Sequence, residues 1–424
     1  MWRFNGSSVT TLNLRVITIV VVLVLKEKRV MSADNAGFAG KLMWSLPWLM
    51  RYPVWRLGEV LRRVTDRVDR QELLVLVANH FEPGWNDSFE VLDWQTQMQR
   101  VDDWCEKARR IGQSITDIDG KSFRHTYFYP AEQYHYPLLE QLAELQNDGF
   151  GEVEIHLHHG ERNPDNATNL RRMLDDYRFL LADRHKLLSR KGGEGEPMYS
   201  FVHGNMALAN SAGGRFCGVD SEIQILTDTG CYADFTLPSA PNQTQVPRIN
   251  AIYQCGKMPY ESIPHFSGAD LQVGVKPSLP VLFTGPLVFD WRRKIHGIPI
   301  PRIDDGALAG NYPLSLARLN RWRNANISIK GRPEWVFIKL YCHGFFPQDQ
   351  DETIGDPICR FWEKVLEFSE KSRRFKVHFV TSREAFNIAM AAVDGHQGNP
   401  GLYRDYQMKM IMKNASMQIE NHKT

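Results

Sequence analysis

The sequence predicts an α/β fold built on a largely parallel sheet, and three observations carry that reading. Apolar runs that read as buried strands alternate with helical periodicities from about Gln71 to about Gly395. Three of these runs end in polar groups next to Gly or Pro: Ala78-Asn79-His80-Phe81-Glu82-Pro83, Glu154-Ile155-His156-Leu157-His158-His159-Gly160 and Lys339-Leu340-Tyr341-Cys342-His343-Gly344. Strands of α/β folds deliver polar groups to the mouth of the fold in this way. Finally, 424 residues, 43% hydrophobic and 24% charged, supply one domain of barrel size plus extensions.

The elements follow in order. Residues 1–70 form an N-terminal extension. Leu12 to Leu25 is apolar but interrupted by Asn13 and Arg15, and the clean part from Val16 is too short to span a bilayer. A start at Met31 would make the first thirty residues dispensable. Lys41 to Arg56 then carries Trp44, Trp48, Trp55 and Tyr52 with several bases and no acid. Such a composition suits either peripheral contact of residues 41–63 with an anionic membrane or packing of the aromatic rings on the main domain.

Glu72 to Ala78 reads as a strand buried on both faces, and Phe89 to Ile111 as a helix. Phe123 to Tyr129 is a second strand, Pro137 to Asn147 a helix, Glu152 to His158 a third strand. Ala167 to Leu187 is a helix capped by Asn166. Met198 to His203 is a fourth strand, Ser221 to Asp228 a short helix, Cys231 to Leu237 a further strand. This alternation predicts parallel strands with right-handed crossovers. From Pro238 to about Arg332 the pattern dissolves into Pro, Gly, Asn and Ser, which predicts inserted strands, hairpins and long loops. Trp335 to Tyr341, Asp356 to Ser369 and Lys376 to Val380 resume the alternation. A closing helix runs from Thr381 to Ala392, capped by Thr381 or Ser382 with Glu384 in its first turn. Residues 396–424 read as a tail or a loosely docked helix.

A net charge of +2 and the lack of a basic run argue against a nucleic-acid partner. The six cysteines are scattered with no C-x-x-C, so neither a zinc knuckle nor a disulfide framework is expected. Free thiols fit a cytoplasmic protein, peripheral at the inner membrane face if residues 41–63 meet lipid.

Side chains alternate along a strand, so His156 and His158 share a face, an i, i+2 chelate for a divalent metal. His80 and Glu82 repeat that relation on another strand. Glu82 with His156, His158 and His159 forms the candidate metal set, with His80 and His343 as candidate acid–base groups. A metal held by one carboxylate and two histidines keeps a position open for hydrolytic chemistry. Asn79, His203 and Asn205 are candidate substrate contacts at strand ends, the last two in a loop whose amides suit a sugar or an oxyanion. Around Cys217 there is no pairing of a nucleophile with a base.

The order of these pieces resembles the polysaccharide deacetylase family with the NodB homology domain. The resemblance rests on Val77 to Glu82, His125-Thr126-Tyr127-Phe128-Tyr129-Pro130, His156 to His159, Tyr341-Cys342-His343, and Val377-His378-Phe379-Val380-Thr381-Ser382-Arg383-Glu384-Ala385. His80 and Glu82 stand in the region of the family's paired aspartates. His156, His158 and His159 replace its H-x-x-x-H, and His203-Gly204-Asn205 its Arg-Pro-Pro loop. The resemblance implies a distorted (β/α) barrel of about seven strands over residues 71–395. It also implies a divalent cofactor (zinc, or cobalt or manganese) and hydrolysis of N- or O-acetyl groups on a sugar or polysaccharide precursor in polysaccharide or glycolipid biosynthesis. A non-catalytic carbohydrate-binding or assembly protein on the same fold is the alternative. A glycosidase on a related barrel is another, and would need a carboxylate across the cleft from Glu82, with Asp220, Asp228 and Asp234 as candidates.

Overall fold

The computed structural model describes residues 37–66, 68–256, 263–295, 297–299 and 301–412. The apolar run Leu12 to Leu25 and the end of the chain from residue 413 lie outside these residues.

The first described element is a long helix, α1 (Phe38–Thr65). The sheet then begins with β1 (Gln71–His80), followed by α2 (Trp94–Ser114), β2 (His125–Pro130), α3 (Tyr136–Asn147), β3 (Gly151–Leu157), α4 (Ala167–Phe179), β4 (Pro197–His203), α5 (Glu222–Asp228) and β5 (Cys231–Asp234). The irregular stretch supplies β6 (Ile252–Cys255), β7 (Gly268–Asp270), β8 (Val281–Phe283) and an unforeseen helix, α6 (Leu316–Ala325). The chain closes with β9 (Trp335–His343), α7 (Asp356–Ser372), β10 (Phe375–Phe379) and α8 (Ser382–Val393).

The fold is mixed α/β with a mostly parallel central sheet. Pairing runs β9–β1–β2–β3–β4–β5–β8–β6–β7, with β10 beside the first half of β1. Every pair from β9 to β8 is parallel, and on this path only β6 runs against the others, antiparallel to both β8 and β7. No pairing joins the two ends of this path among the described residues. The sheet nevertheless curls: the Phe283 ring on β8 lies 5.9 Å from that of Phe337 on β9. Lys339 of β9 donates to the Leu237 carbonyl just past β5 at 2.8 Å.

Both faces are buried, which is why β1 reads as an unbroken Leu/Val run. Leu73, Val75 and Val77 pack under α2, α3 and α7, whereas Leu74, Leu76 and Ala78 face a second core with Phe128, Val202, Phe235 and Phe337. α8 fills that inner face at the N-terminal ends of the strands, with all twelve residues buried. Thr381 and Glu384 form the expected capping box. Ser382 meets Ser200, Arg383 pairs with Glu152, and Phe386 packs on Tyr232. With α8 at that end, the strands' C-terminal ends are left to carry polar groups.

Three sequence readings change. α2 starts at Trp94 rather than Phe89, because Asp93 caps it by accepting from Thr96 N. α4 stops at Phe179 and gives way to a π-turn over Leu180–Arg184. The expected tail is docked as far as Met412. Met408–Met410 pairs with Ser189–Lys191, and buried Arg404 binds Asp117, Asp119 and Glu384. His378 joins this cluster through Asp119 and Glu72. Its carboxylates are already neutralised by a guanidinium, so we read it as a structural network.

α1 resolves the aromatic segment in part. Trp48, 1% exposed, stacks on Phe289 beside Tyr52, and Trp55 packs near them. These rings are spent on the domain. The opposite face of the helix leaves Met43, Leu46, Met50, Val54, Leu57, Leu61 and Val64 exposed at spacings of three or four. No helix of the described residues is long and apolar enough to cross a membrane.

Candidate metal centre

Strand register brings the polar groups together. His80 is paired with His343 across β1 and β9, and their ring centroids lie 4.7 Å apart. His156, at the end of β3, lies 5.0 Å from His80 and 4.5 Å from His158, centroid to centroid. Glu82, two residues beyond β1, points its Oε1 at His156 Nε2 (3.1 Å) and His158 Nε2 (3.4 Å). Ligand atoms of His80, Glu82 and His156 all lie within 4.8 Å of one another.

The far side of each ring is tied down. His156 Nδ1 donates to the Val202 carbonyl at 2.8 Å, which fixes the proton there and leaves Nε2 as a bare lone pair. His158 Nδ1 meets Glu132 Oε1 at 2.5 Å, and its amide reaches the other Glu132 oxygen. An imidazole held by an acceptor on one nitrogen, with the other aimed at a shared point, is how metal-ligating histidines are oriented. Two lone-pair atoms at 3.1 Å require a cation, either a proton or a metal ion, between them. Buried groups of this kind can hold a metal ion.

Burial and the crowding of imidazoles set the charges of the site: Glu82 is held as the anion, His158 is pushed toward the cation, and His80 and His343 are pushed away from it. Burial pushes the Glu82 carboxyl up, but His156 and the charges of His158 and His343 pull it down to about 2. Burial opposes a charged His158, yet Glu132 and Glu82 lift it to about 9. For His80, burial and then His343 and His156 hold the pKa well below the usual histidine range. His343 is lowered by burial. Beneath the cluster, Lys339 is buried, and burial lowers it to about 7 despite Asp234 and Asp305. Nothing in the sequence of this apolar strand marks Lys339 as buried beside carboxylates.

The remaining sequence candidates go elsewhere. His159 does not join His156 and His158. The strand ends at Leu157, alternation ceases, and the ring turns away to Asp165, His203 and Glu222. His203 is fully buried in that second cluster rather than presented to a substrate. Asn79 is also fully buried, bracing the site by accepting from Gly344 N at 3.2 Å and contacting His125. Asn205 is exposed and donates to Glu161. Of the candidate second carboxylates, Asp220 accepts from Asn210 and Asp228 pairs with Arg171 at the surface, while Asp234 is buried against Thr236.

Two carboxylates that hold these histidines left no clear trace in the sequence. Glu132 lies in a single 3-10 turn after β2, and Glu222 read only as the start of a short helix. Gly204 has a definable role: a Cβ there would lie 2.3 Å from His158 Cδ2, so the loop after β4 passes the site only as glycine. No family model, curated protein or solved structure matches the chain.

Proposed function

We propose that the protein is a metal-dependent carbohydrate deacetylase that hydrolyses N- or O-acetyl groups of a sugar or polysaccharide precursor. The observation that carries this is the convergence of Glu82 Oε1 with the Nε2 atoms of His156 and His158, each imidazole fixed from behind by Val202 or Glu132. Glu82, His156 and His158 would hold the ion. Zinc fits this donor set, with cobalt or manganese as substitutes. When bound, such an ion supplies Lewis acidity for an acyl carbonyl and acidifies water.

His80 and His343 stand beside that point as a pair of imidazoles in contact. His80 takes the proton from the attacking water, and His343 delivers a proton to the departing amine or alcohol. The His343 ring stacks on Phe346 at 5.3 Å, which holds its orientation. The curled parallel sheet is in this reading the wall of a distorted barrel of about seven strands, with α8 below and the reacting groups above.

Acetate release from a panel of N- and O-acetylated oligosaccharides tests the proposal. Release that depends on added zinc or cobalt, and that falls about a hundredfold or more in His343→Ala with metal content unchanged, is expected. An unchanged rate in that variant removes His343 from the mechanism. No release from any substrate leaves a binding role.

The same reading places the exposed apolar stripe of α1 against an anionic lipid surface, with Arg51, Arg56 and Arg63 exposed on the same helix. Chains starting at Met31 should sediment with anionic vesicles, less so at high salt. Chains starting at about Asp66 should not. Equal behaviour of the two, with neither pelleting, would leave the helix without a lipid role.

A further inference from the structure

The geometry points to a second, enclosed metal site, independent of the first: His159, His203, Cys217 and Glu222 form a four-ligand centre for a divalent ion of zinc type that fastens the loop after β4 and α5 to the end of β3.

The four residues come from separate places: the turn after β3, the end of β4, the loop that follows it and the first turn of α5. All are buried, and their ligand atoms lie within 4.8 Å of one another. His159 Nε2 stands 3.0 Å from His203 Nε2 and 3.1 Å from Glu222 Oε1. His203 Nε2 is 3.3 Å from the same oxygen. Tetrahedral zinc with bonds of about 2.0–2.1 Å to N and O places its ligand atoms roughly 3.3 Å apart, so the cluster is close to the size of a filled site. Cys217 Sγ lies 3.5 Å from Glu222 Oε2.

Each group is oriented from behind. His203 Nδ1 donates to the Gly204 carbonyl at 2.5 Å, which can only accept, so its Nε2 is a bare lone pair. His159 Nδ1 faces Asp165 Oδ2 at 3.1 Å, a carboxylate–histidine pairing of the kind that supports a metal ligand. Glu222 Oε2 accepts from Ala209 N at 2.6 Å, leaving Oε1 for the centre. Three lone-pair atoms therefore face one another at 3.0–3.3 Å. A proton on His159 would answer one of these contacts. It leaves unexplained why a thiol, a second imidazole and a carboxylate are gathered at the same point, away from water.

The donor set selects the ion. A thiol with two imidazoles and one carboxylate suits zinc and not magnesium or calcium. Four protein ligands leave no open position, so this centre is structural. Its role is visible in the loop it would hold: Asn205, Met206, Ala209, Asn210 and Phe216 all take left-handed backbone angles that side chains disfavour. His265 lies within the electrostatic reach of Glu222 and His203, fully buried and with neither ring nitrogen hydrogen-bonded among the described residues. Burial and the Glu222 charge keep the free Cys217 thiol protonated, so uptake of the ion releases a proton.

The first site has no cysteine, which lets one experiment separate the two. The full untagged chain is loaded with cobalt, and its absorption spectrum and metal content are measured. A thiolate-to-cobalt charge-transfer band and two cobalt ions per chain are expected. Cys217→Ser should lose the band and one ion, whereas Glu82→Ala should lose the other ion and keep the band. A wild-type spectrum without that band overturns the second site even if the serine variant does not fold. So does a band that survives in Cys217→Ser. Retention of both ions by Glu82→Ala counts against the first site alone.

Discussion

Glu82→Ala is expected to reduce metal-dependent acetate release to background and to remove one ion per chain, while the protein stays folded. Among the described residues, Glu82 is the carboxylate whose Oε1 faces the Nε2 atoms of both His156 and His158. Without it, two imidazoles remain whose lone pairs have lost the negative charge that balances a divalent ion. Glu82 is buried against His156 and His158, so its loss also costs stability, and the variant's fold is checked by far-UV circular dichroism before metal is counted. Glu132→Gln is the milder companion. It acts on the metal only through His158 Nδ1, and changes at that distance weaken metal affinity by about 10–100-fold. Competition against a chelator reads both variants. Equal affinity in all three proteins would mean that the carboxylates and histidines simply satisfy one another.

Asp304→Ala is expected to be the most damaging single change to stability, roughly 3–5 kcal/mol in denaturant unfolding. Asp304 is fully buried and accepts from Arg318 Nη2 at 3.0 Å, Arg321 Nη2 at 3.0 Å and Trp322 Nε1 at 2.9 Å. Arg318 is itself without exposure, so removing the carboxylate strands a buried guanidinium. The effect reaches the site by a short path. Asp305 accepts from the Tyr341 hydroxyl at 2.7 Å, and Leu308 N donates to the Tyr341 carbonyl at 2.9 Å. Tyr341 lies two residues before His343, so loosening this brace should also disturb the acid–base pair. A loss below about 1 kcal/mol would show that the arginines find other partners.

The sequence was informative where one periodicity sufficed. β1, β3, β4 and β9 are legible because strands buried on both faces read as largely apolar runs, and β1, β4 and β9 end at a histidine. The capping residues Asn166 and Thr381 marked their helices because cap chemistry is local. What could not be read depends on contacts between distant residues. His159 followed the histidine pair in sequence, but the strand had already ended, so the side chain took its own direction. Glu132 and Glu222 lie in short helical turns with no periodicity, and only the folded chain brings them to the imidazoles. The stretch from Pro238 to Arg332 alternates too little for its elements to be placed. In it α6 buries Leu319, Trp322 and Ala325 and turns Arg318, Arg321 and Trp322 to the buried carboxylate of Asp304. The tryptophans of α1 carried an ambiguous composition, and the fold divides them: Trp48 packs inward while the aliphatic stripe faces out.

An anomalous-difference map at the zinc edge, from crystals of the untagged full chain grown with zinc, bears most directly on the central claim. A peak bounded by Glu82 Oε1, His156 Nε2 and His158 Nε2 is the expected result. A map with no peak at that position, at a zinc concentration that fills any competent site, would contradict it.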